Sequence, residues 1–356
     1  MKRAGTTALA AAAVAVAISA CSSTGASGSS GTPRPESRAV VIVSGGATSS
    51  PFTTPTQACA DEPGFLAAGN TDTQLRSDLL AAGKQVYTAP VMDDWGPVKE
   101  PTDTRPGPFR DCPIVLPESM TITSTGDINA GGERLARFLG YLGTEYGITD
   151  VDLVGHSNGG LWSRAAIRVL KSTGSPVTVR SLIMMGTPNS GSVPGRYTVG
   201  EITLESCAGS AYCEGALKRW VPFAEKVDKG LNRENTEAFL GGPDGWNAAQ
   251  GNALDGIPVT LIAGTYFSEP AGDPTVWPYD GTSSRYSAWA SDVPDAIIPW
   301  RACWQAPLLH SIYQSEQLSV PWDVAMTNNA EAIARVNQAI DEADGALGTP
   351  NRRGCA

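Results

Sequence analysis

The amino-acid sequence predicts an α/β fold, a mostly parallel sheet with helices on both faces. Continuous apolar runs, such as residues 39–43, are typical of strands that are buried on both sides of a sheet. Segments with apolar residues at helical spacing alternate with these runs, which indicates strand–helix–strand units. The chain has 41% hydrophobic and 17% charged residues, which is the balance of a globular domain and not of a disordered chain.

The N-terminus predicts an export signal over residues 1–20. Lys2 and Arg3 precede an apolar run that is too short to span a bilayer as a helix. The run ends in Ile-Ser-Ala-Cys, which resembles the lipobox of bacterial lipoproteins and implies a lipid on Cys21. The alternative is an ordinary secretory signal with an incidental Cys21. Residues 21–38 are rich in Ser, Gly, Thr and Pro, so we expect a flexible tether before a domain that spans 39–356.

The charge balance limits the possible partners. A net charge of −10 argues against nucleic acid and against electrostatic docking on anionic lipid. We therefore expect membrane attachment only through the lipid on Cys21, in a protein that is exported and either faces outward from the cell membrane or is secreted. The sequence gives no signal for a metal or an organic cofactor, so none is expected, although carboxylate-bound calcium stays open.

Six further cysteines predict three disulfides, because an even number in an exported chain indicates complete pairing. Pairing between neighbours in sequence is the preferred hypothesis among the alternatives. A metal site is disfavoured, since the chain has only two histidines and no Cys-x-x-Cys. The predicted pairs are Cys59–Cys112, Cys207–Cys213 and Cys303–Cys355.

The first half of the domain continues the alternation. After the strand at 39–43, a helix is expected over 72–82, with Thr71 or Asp72 as its cap. A strand is then expected over 85–89. Residues 90–124, rich in Pro, Asp and Gly, predict a long irregular loop that either borders a binding site or is a surface excursion.

The most informative stretch is the Gly-x-Ser-x-Gly segment at 155–159, between an apolar strand and an amphipathic helix. Gly155 and Gly159 leave room for a sharp turn that exposes the Ser157 hydroxyl above the sheet. The backbone N–H of Asn158 then points to the place where an oxyanion would form. The pattern predicts a nucleophilic serine, and a plain glycine-rich turn is the alternative.

A serine nucleophile needs a base that titrates near neutral pH. The chain has two histidines, and His156 lies within the turn, where we expect it to point elsewhere. His310 is then the only histidine available and is the predicted base. The alternative, a structural surface histidine, would leave Ser157 without activation.

Segment 153–161 resembles the nucleophile segment of lipases and esterases of the α/β-hydrolase superfamily. Segment 186–191 is similar to the Gly-Thr-Pro-His-x-Gly segment of many bacterial lipases, with Asn189 where His is frequent. The resemblance covers most of residues 39–344. It implies an α/β-hydrolase fold and a serine hydrolase that cleaves carboxylic esters through an acyl-enzyme. The expected partner is an ester with an apolar acyl chain.

The resemblance also implies an acid. Asp280 begins an Asp-Gly-Thr sequence similar to the Asp-Gly-Thr-Val motif that carries the acid of lipases, with Ser283 where Val is usual. Competing carboxylates after the same predicted strand, at 257–263, are those of Glu269, Asp273 and Asp292. In this family the acid follows the serine and precedes the histidine in the chain.

Two further expectations concern the surroundings of the serine. The glycine loop after the first strand is where α/β-hydrolases place the second oxyanion donor, which points to the N–H of Gly46. A simple strand-ending turn is the alternative. The pattern breaks up over 193–256, which predicts a cap or lid insertion above the sheet, with packing on the core alone as the alternative.

The remaining elements are a helix over 128–146, a final helix over 327–342 and a tail expected to be loop from Gly345. Two other functions fit the same sequence. An acyltransferase that acts on cell-envelope alcohols would use the same residues and differ in excluding water. A non-catalytic surface lipoprotein would keep the fold for binding.

Overall fold

The computed structural model describes residues 37–59, 68, 71–92, 112–226, 230–345 and 347–355. The predicted signal peptide, Cys21 and nearly all of the predicted tether lie outside these residues, as does most of the expected 90–124 loop. No helix in the described part of the chain combines the length and the apolar content that a membrane crossing requires.

The strands divide between one large sheet and one small pair. The strands are β1 (Arg38–Val43), β2 (Val86–Thr88), β3 (Val91–Met92), β4 (Ile122–Thr123), β5 (Asp150–His156), β6 (Thr178–Met185), β7 (Val259–Gly264), β8 (Trp300–Ala306) and β9 (Asn351–Arg353). Seven form a parallel sheet in the order β2-β1-β5-β6-β7-β8-β9, and β3 pairs with β4.

The helices cover both faces of this sheet. They are α1 (Thr73–Ala81), α2 (Ile128–Tyr146), α3 (Asn158–Thr173), α4 (Val193–Thr198), α5 (Ala211–Lys226), α6 (Gly230–Arg233), α7 (Glu237–Leu240), α8 (Trp246–Ala249), α9 (Arg285–Ala288), α10 (Ile312–Leu318) and α11 (Ala330–Glu342). Helices α2 and α3 pack on one face, and α1 and α11 pack on the other. The predicted α/β class is therefore confirmed.

The apolar runs form central strands because both of their faces are buried. In β1, Val41 and Val43 contribute to the core on the α2 and α3 side, whereas Val40 and Ile42 contribute to the core on the opposite side. Successive strand residues point to opposite faces, so only a continuous apolar run can fill both cores. Strand β5 is buried in the same way and lies inside the sheet, between β1 and β6.

Residues 193–256 lie between β6 and β7 and divide into two parts. The first part, with Ile202 and Leu217, belongs to a separate apolar cluster that also takes in Trp277 and Tyr279. The second part packs on the main core through Trp246 and its neighbours. The role of this insertion as a cap stays a prediction.

The three disulfides of the structure join Cys59 to Cys112, Cys207 to Cys213 and Cys303 to Cys355. These are the pairs of sequence neighbours that the sequence predicts. A disulfide framework of this kind is typical of an exported chain.

Two segments expected to be loops contain strands. The tail after Gly345 was predicted to be irregular, but residues 351–353 add β9 to the edge of the main sheet beside β8. The expected 90–124 loop holds β3 and β4 at its two ends, each two residues long. Strands this short leave no periodic pattern in the sequence, so the prediction was wrong at both places.

Candidate active site

Ser157 lies in a sharp turn between the end of β5 and the start of α3. Its backbone has φ 54° and ψ −129°, a conformation that costs a non-glycine residue about 1–3 kcal/mol. Two glycines make the turn possible, because neither position has room for a side chain. A Cβ on Gly155 would lie 2.4 Å from the Gly160 amide nitrogen, and one on Gly159 would lie 2.0 Å from the Val43 carbonyl oxygen.

The structure pairs the predicted acid with the predicted base. Asp280 Oδ2 lies 2.8 Å from Nδ1 of His310, and the Asp280 carboxyl is fully buried. Because a carboxylate only accepts hydrogen bonds, Nδ1 carries the proton and Nε2 keeps its lone pair. The His310 backbone N–H also donates to the Asp280 carbonyl oxygen at 2.9 Å.

The turn that follows Asp280 orients its carboxylate. Oδ1 accepts from the backbone N–H of Thr282 at 2.8 Å and of Ser283 at 2.7 Å. Gly281 has φ 104°, in the region that favours glycine, so the Asp-Gly-Thr sequence supplies the residue this turn requires. The Ser283 hydroxyl donates to the Gly186 carbonyl oxygen at 2.8 Å, which links the turn to the end of β6.

The competing carboxylates lie elsewhere. Asp273 accepts from the backbone and hydroxyl of Thr275, and Asp292 accepts from the Ser190 hydroxyl. Both residues are exposed. Of the carboxylates that follow β7, the structure therefore brings Asp280 to His310.

His156 has a role that the sequence did not reveal. Its Nε2 donates to the His310 carbonyl oxygen at 2.8 Å, and the two rings are 4.8 Å apart between centroids. Burial, together with the nearby His310, lowers the pKa of His156 to about 3. The ring therefore stays neutral and positions the His310 backbone, as expected for a histidine that is not the base.

Asn189, the departure from the lipase pattern, also has a partner. Its Oδ1 accepts from the fully buried guanidinium of Arg164 at 3.0 Å, and Asn247 accepts from the same nitrogen at 2.7 Å. Burial lowers the pKa of Arg164 to about 9, and the positive charge of Arg301 contributes to this decrease. Asn189 thus accepts a hydrogen bond from a buried arginine of α3. The sequence does not reveal this partner, because it lies 25 residues away along the chain.

One cavity of about 340 Å³ brings the predicted residues together. Ser157, His310 and both predicted oxyanion donors, Gly46 and Asn158, line it. The Gly46 N–H has no protein acceptor among the described residues, whereas the next N–H donates to the Ser124 carbonyl oxygen. A Cβ on Gly45 would lie 2.5 Å from the Ser157 Cβ, so this glycine gives the nucleophile its space.

The Asp72 side chain contacts the residue that precedes the glycines of this loop. Asp72 occupies the N-cap position of α1, but its side chain makes no capping hydrogen bond, so the predicted capping role was wrong. Its carboxyl is fully buried and accepts from the Ser44 hydroxyl, directly before Gly45. Burial raises the pKa of Asp72 from 3.8 to about 7, against the opposing effect of the Ser44 hydrogen bond.

We expect Asp72→Asn to change how stability depends on pH. Between about pH 4 and pH 7 the folded chain keeps a proton on Asp72 that the unfolded chain has lost. The free energy of unfolding therefore falls as pH rises through this range, and Asn removes that loss. Unfolding temperatures should nearly coincide near pH 4, and the variant should be the more stable by pH 8. Parallel curves would contradict the assignment. Asp78→Asn, on the same helix, is the charge-matched control.

The sheet and the turn define the fold. A parallel sheet in which an interior strand turns at a serine into a helix, with an aspartate and then a histidine following in the chain, is the α/β-hydrolase fold. Among the described residues, no group of three or more His, Cys, Asp or Glu side chains is arranged to hold a metal ion.

Neither a protein-family model nor a curated protein sequence matches the chain. Solved structures do. A lipase of Bacillus licheniformis in its mature form is 16% identical, with a TM-score of 0.43, over 81% of this chain and 92% of the lipase. The propeptide form of the same lipase is 16% identical, with a TM-score of 0.44, over 79% of this chain. The match covers only 48% of that longer lipase chain. The naproxen esterase of Bacillus subtilis is 12% identical, with a TM-score of 0.38, over 86% of this chain and 84% of the esterase.

Proposed function

We propose that the chain is a serine hydrolase that cleaves carboxylic esters through an acyl-enzyme. The observation that carries the proposal is the hydrogen bond between buried Asp280 and His310, beside a serine held in a strained turn on the same cavity. A serine that only forms a turn does not need a base nearby. A serine nucleophile does, because a base must take its proton.

In this mechanism the Ser157 Oγ attacks the carbonyl carbon of the ester, and Nε2 of His310 takes its proton. The buried Asp280 carboxylate stabilises the imidazolium that forms. The N–H groups of Gly46 and Asn158 bind the oxyanion. When the tetrahedral intermediate collapses, the alcohol leaves with the proton from His310. Water then repeats the sequence on the acyl-enzyme and releases the acid.

The cavity supports a substrate with an apolar portion. Trp220 and Leu231 of the insertion and Pro194 at its start line the cavity together with Ser157. This lining suits an acyl chain next to the reacting carbonyl, and it supports our proposal that the 193–256 insertion acts as a cap.

A fluorophosphonate probe tests the proposal. The probe phosphonylates a serine only where a base and an oxyanion site activate it, so we expect stoichiometric labelling, located at Ser157 by peptide mass spectrometry. Hydrolysis of p-nitrophenyl valerate should be lost in proportion to the labelling. An unlabelled, folded protein would favour a non-catalytic binding protein instead.

We extend the proposal to the location of the protein: export, and attachment to a membrane through a lipid on Cys21. The three disulfides support an oxidising compartment. The anchor rests on the sequence alone, and a Cys21→Ser variant that still fractionates with membranes would contradict it.

A further inference from the structure

One face of α5 borders the proposed active site. Tyr212, Ala216, Arg219 and Trp220 all line the cavity, at the spacing of residues that share a helix face. The adjacent flank of the helix holds Cys213 and Leu217 in the apolar cluster of the insertion. Their burial fixes the orientation of α5, and the other four side chains border the cavity.

Arg219 is the cation on this face. Its side chain is exposed, and it makes no hydrogen bond or ion pair with any residue that the structure describes. The preceding residue differs, since Lys218 pairs with Glu214 at 3.1 Å on the same helix. In a chain with a net charge of −10, an unpaired guanidinium at a cavity is a local site for an anion.

The Arg219 guanidinium lies close to Gly215, one helical turn earlier on α5. Gly215 lies inside α5, where a glycine costs about 0.5–1 kcal/mol relative to alanine, and its backbone does not require glycine. A Cβ at this position would lie 3.0 Å from Nη1 of Arg219, the nearest atom to it. The guanidinium therefore lies back along the helix, next to the Gly215 position.

Tyr212 adds a neutral donor next to the cation. Its ring stacks on Phe267, with centroids 4.2 Å apart, and its hydroxyl lies 3.5 Å from the position of a Cβ on Gly281. Burial, reinforced by Asp280 and opposed by Arg219, raises the pKa of Tyr212. The hydroxyl therefore keeps its proton and can donate to an anion held by Arg219.

We propose that the site selects esters that carry a carboxylate, which Arg219 binds through its guanidinium with the Tyr212 hydroxyl as a second donor. This inference rests on the proposed ester hydrolysis and names its substrate class. An apolar segment of the substrate lies along Trp220 and Leu231, and the carboxylate lies between Arg219 and Tyr212. Guanidinium groups bind carboxylates through charge-assisted hydrogen bonds, which are about twice as strong as neutral ones.

The test uses two pairs of esters on the full chain, each pair differing only in a carboxylate. Mono-p-nitrophenyl glutarate is compared with p-nitrophenyl valerate, which places the charge on the acyl side. 4-Acetoxybenzoate is compared with phenyl acetate, which places it on the leaving-group side. We expect Arg219→Gln to lower the charged-to-neutral ratio of kcat/KM about tenfold or more in one of the pairs.

Matched variants separate the possible outcomes. Arg219→Lys should restore part of the ratio, because it restores the charge without the planar fork. Lys218→Gln removes the same charge from a neighbouring position that does not line the cavity, and both ratios should stay as in the wild type. Ratios unchanged by Arg219→Gln in both pairs, or an equal fall with Lys218→Gln, would overturn the carboxylate site. Hydrolysis of none of the four esters would instead reject the proposed function.

Discussion

Ser157→Ala is expected to reduce ester hydrolysis to background while the chain still folds. Loss of the nucleophile lowers kcat by on the order of 10⁶-fold in a well-studied serine protease, and no second hydroxyl is held in the β5–α3 turn to replace it. Alanine at φ 54° is as strained as serine, so the unfolding temperature should change little. The measurement is kcat with p-nitrophenyl valerate, beside a thermal unfolding curve.

Ser163→Ala is the matched control for this experiment. Ser163 is also buried on α3, but its hydroxyl donates to the Gly159 carbonyl oxygen at 2.7 Å within the helix. Turnover near the wild-type rate is expected for this variant. If Ser157→Ala also kept turnover near that rate, the nucleophile would be assigned wrongly.

Asp280→Asn is expected to lower kcat by about 10⁴, the loss seen for the same change in a well-studied triad protease. The amide can still accept the N–H groups of Thr282 and Ser283 through its oxygen. Its nitrogen then faces His310 Nδ1 as a donor, which moves the imidazole proton to Nε2 and removes the lone pair that Ser157 needs. The unfolding temperature should fall much less than activity does.

Asp292→Asn provides the comparison for that variant. It removes the same charge from an exposed residue whose carboxylate accepts a hydrogen bond from the Ser190 hydroxyl. Because Asp292 is exposed, solvent and salt screen its effect on His310. We expect kcat close to that of the wild type. A severe loss with Asp292→Asn and a mild one with Asp280→Asn would show that the Asp-Gly-Thr motif had misled the assignment.

The sequence predicts a structural element best where the local residue pattern and the contacts of the fold require the same residues. Strand β5 and helix α3 are visible because a buried strand, a Gly-x-Ser-x-Gly turn and an amphipathic helix all demand particular residues in one stretch. The helix predicted over 128–146 has those bounds in the structure. Elimination between two histidines predicts His310 as the base, and the structure places His310 against Asp280 and on the cavity of Ser157.

What the sequence misses depends on partners far along the chain. Asp72 has the local signature of a helix cap, yet its environment is set by Ser44, 28 residues earlier. Arg219 looks like any surface arginine until α5 is placed over the cavity. Strand β9 is three exposed polar residues, so no hydrophobic period marks it, and only pairing with β8 makes it a strand.

Strand β9 also determines which strand lies at this edge of the sheet, where its backbone can pair with other molecules. An unpaired edge strand is a template for intermolecular pairing, and β9 covers the free side of β8. The bond between Cys303 in β8 and Cys355, which follows β9, ties this strand to its neighbour. Reduction of this bond should loosen β9 and expose the edge of β8 to self-association. We therefore expect the folding yield to depend on oxidation of this pair of thiols.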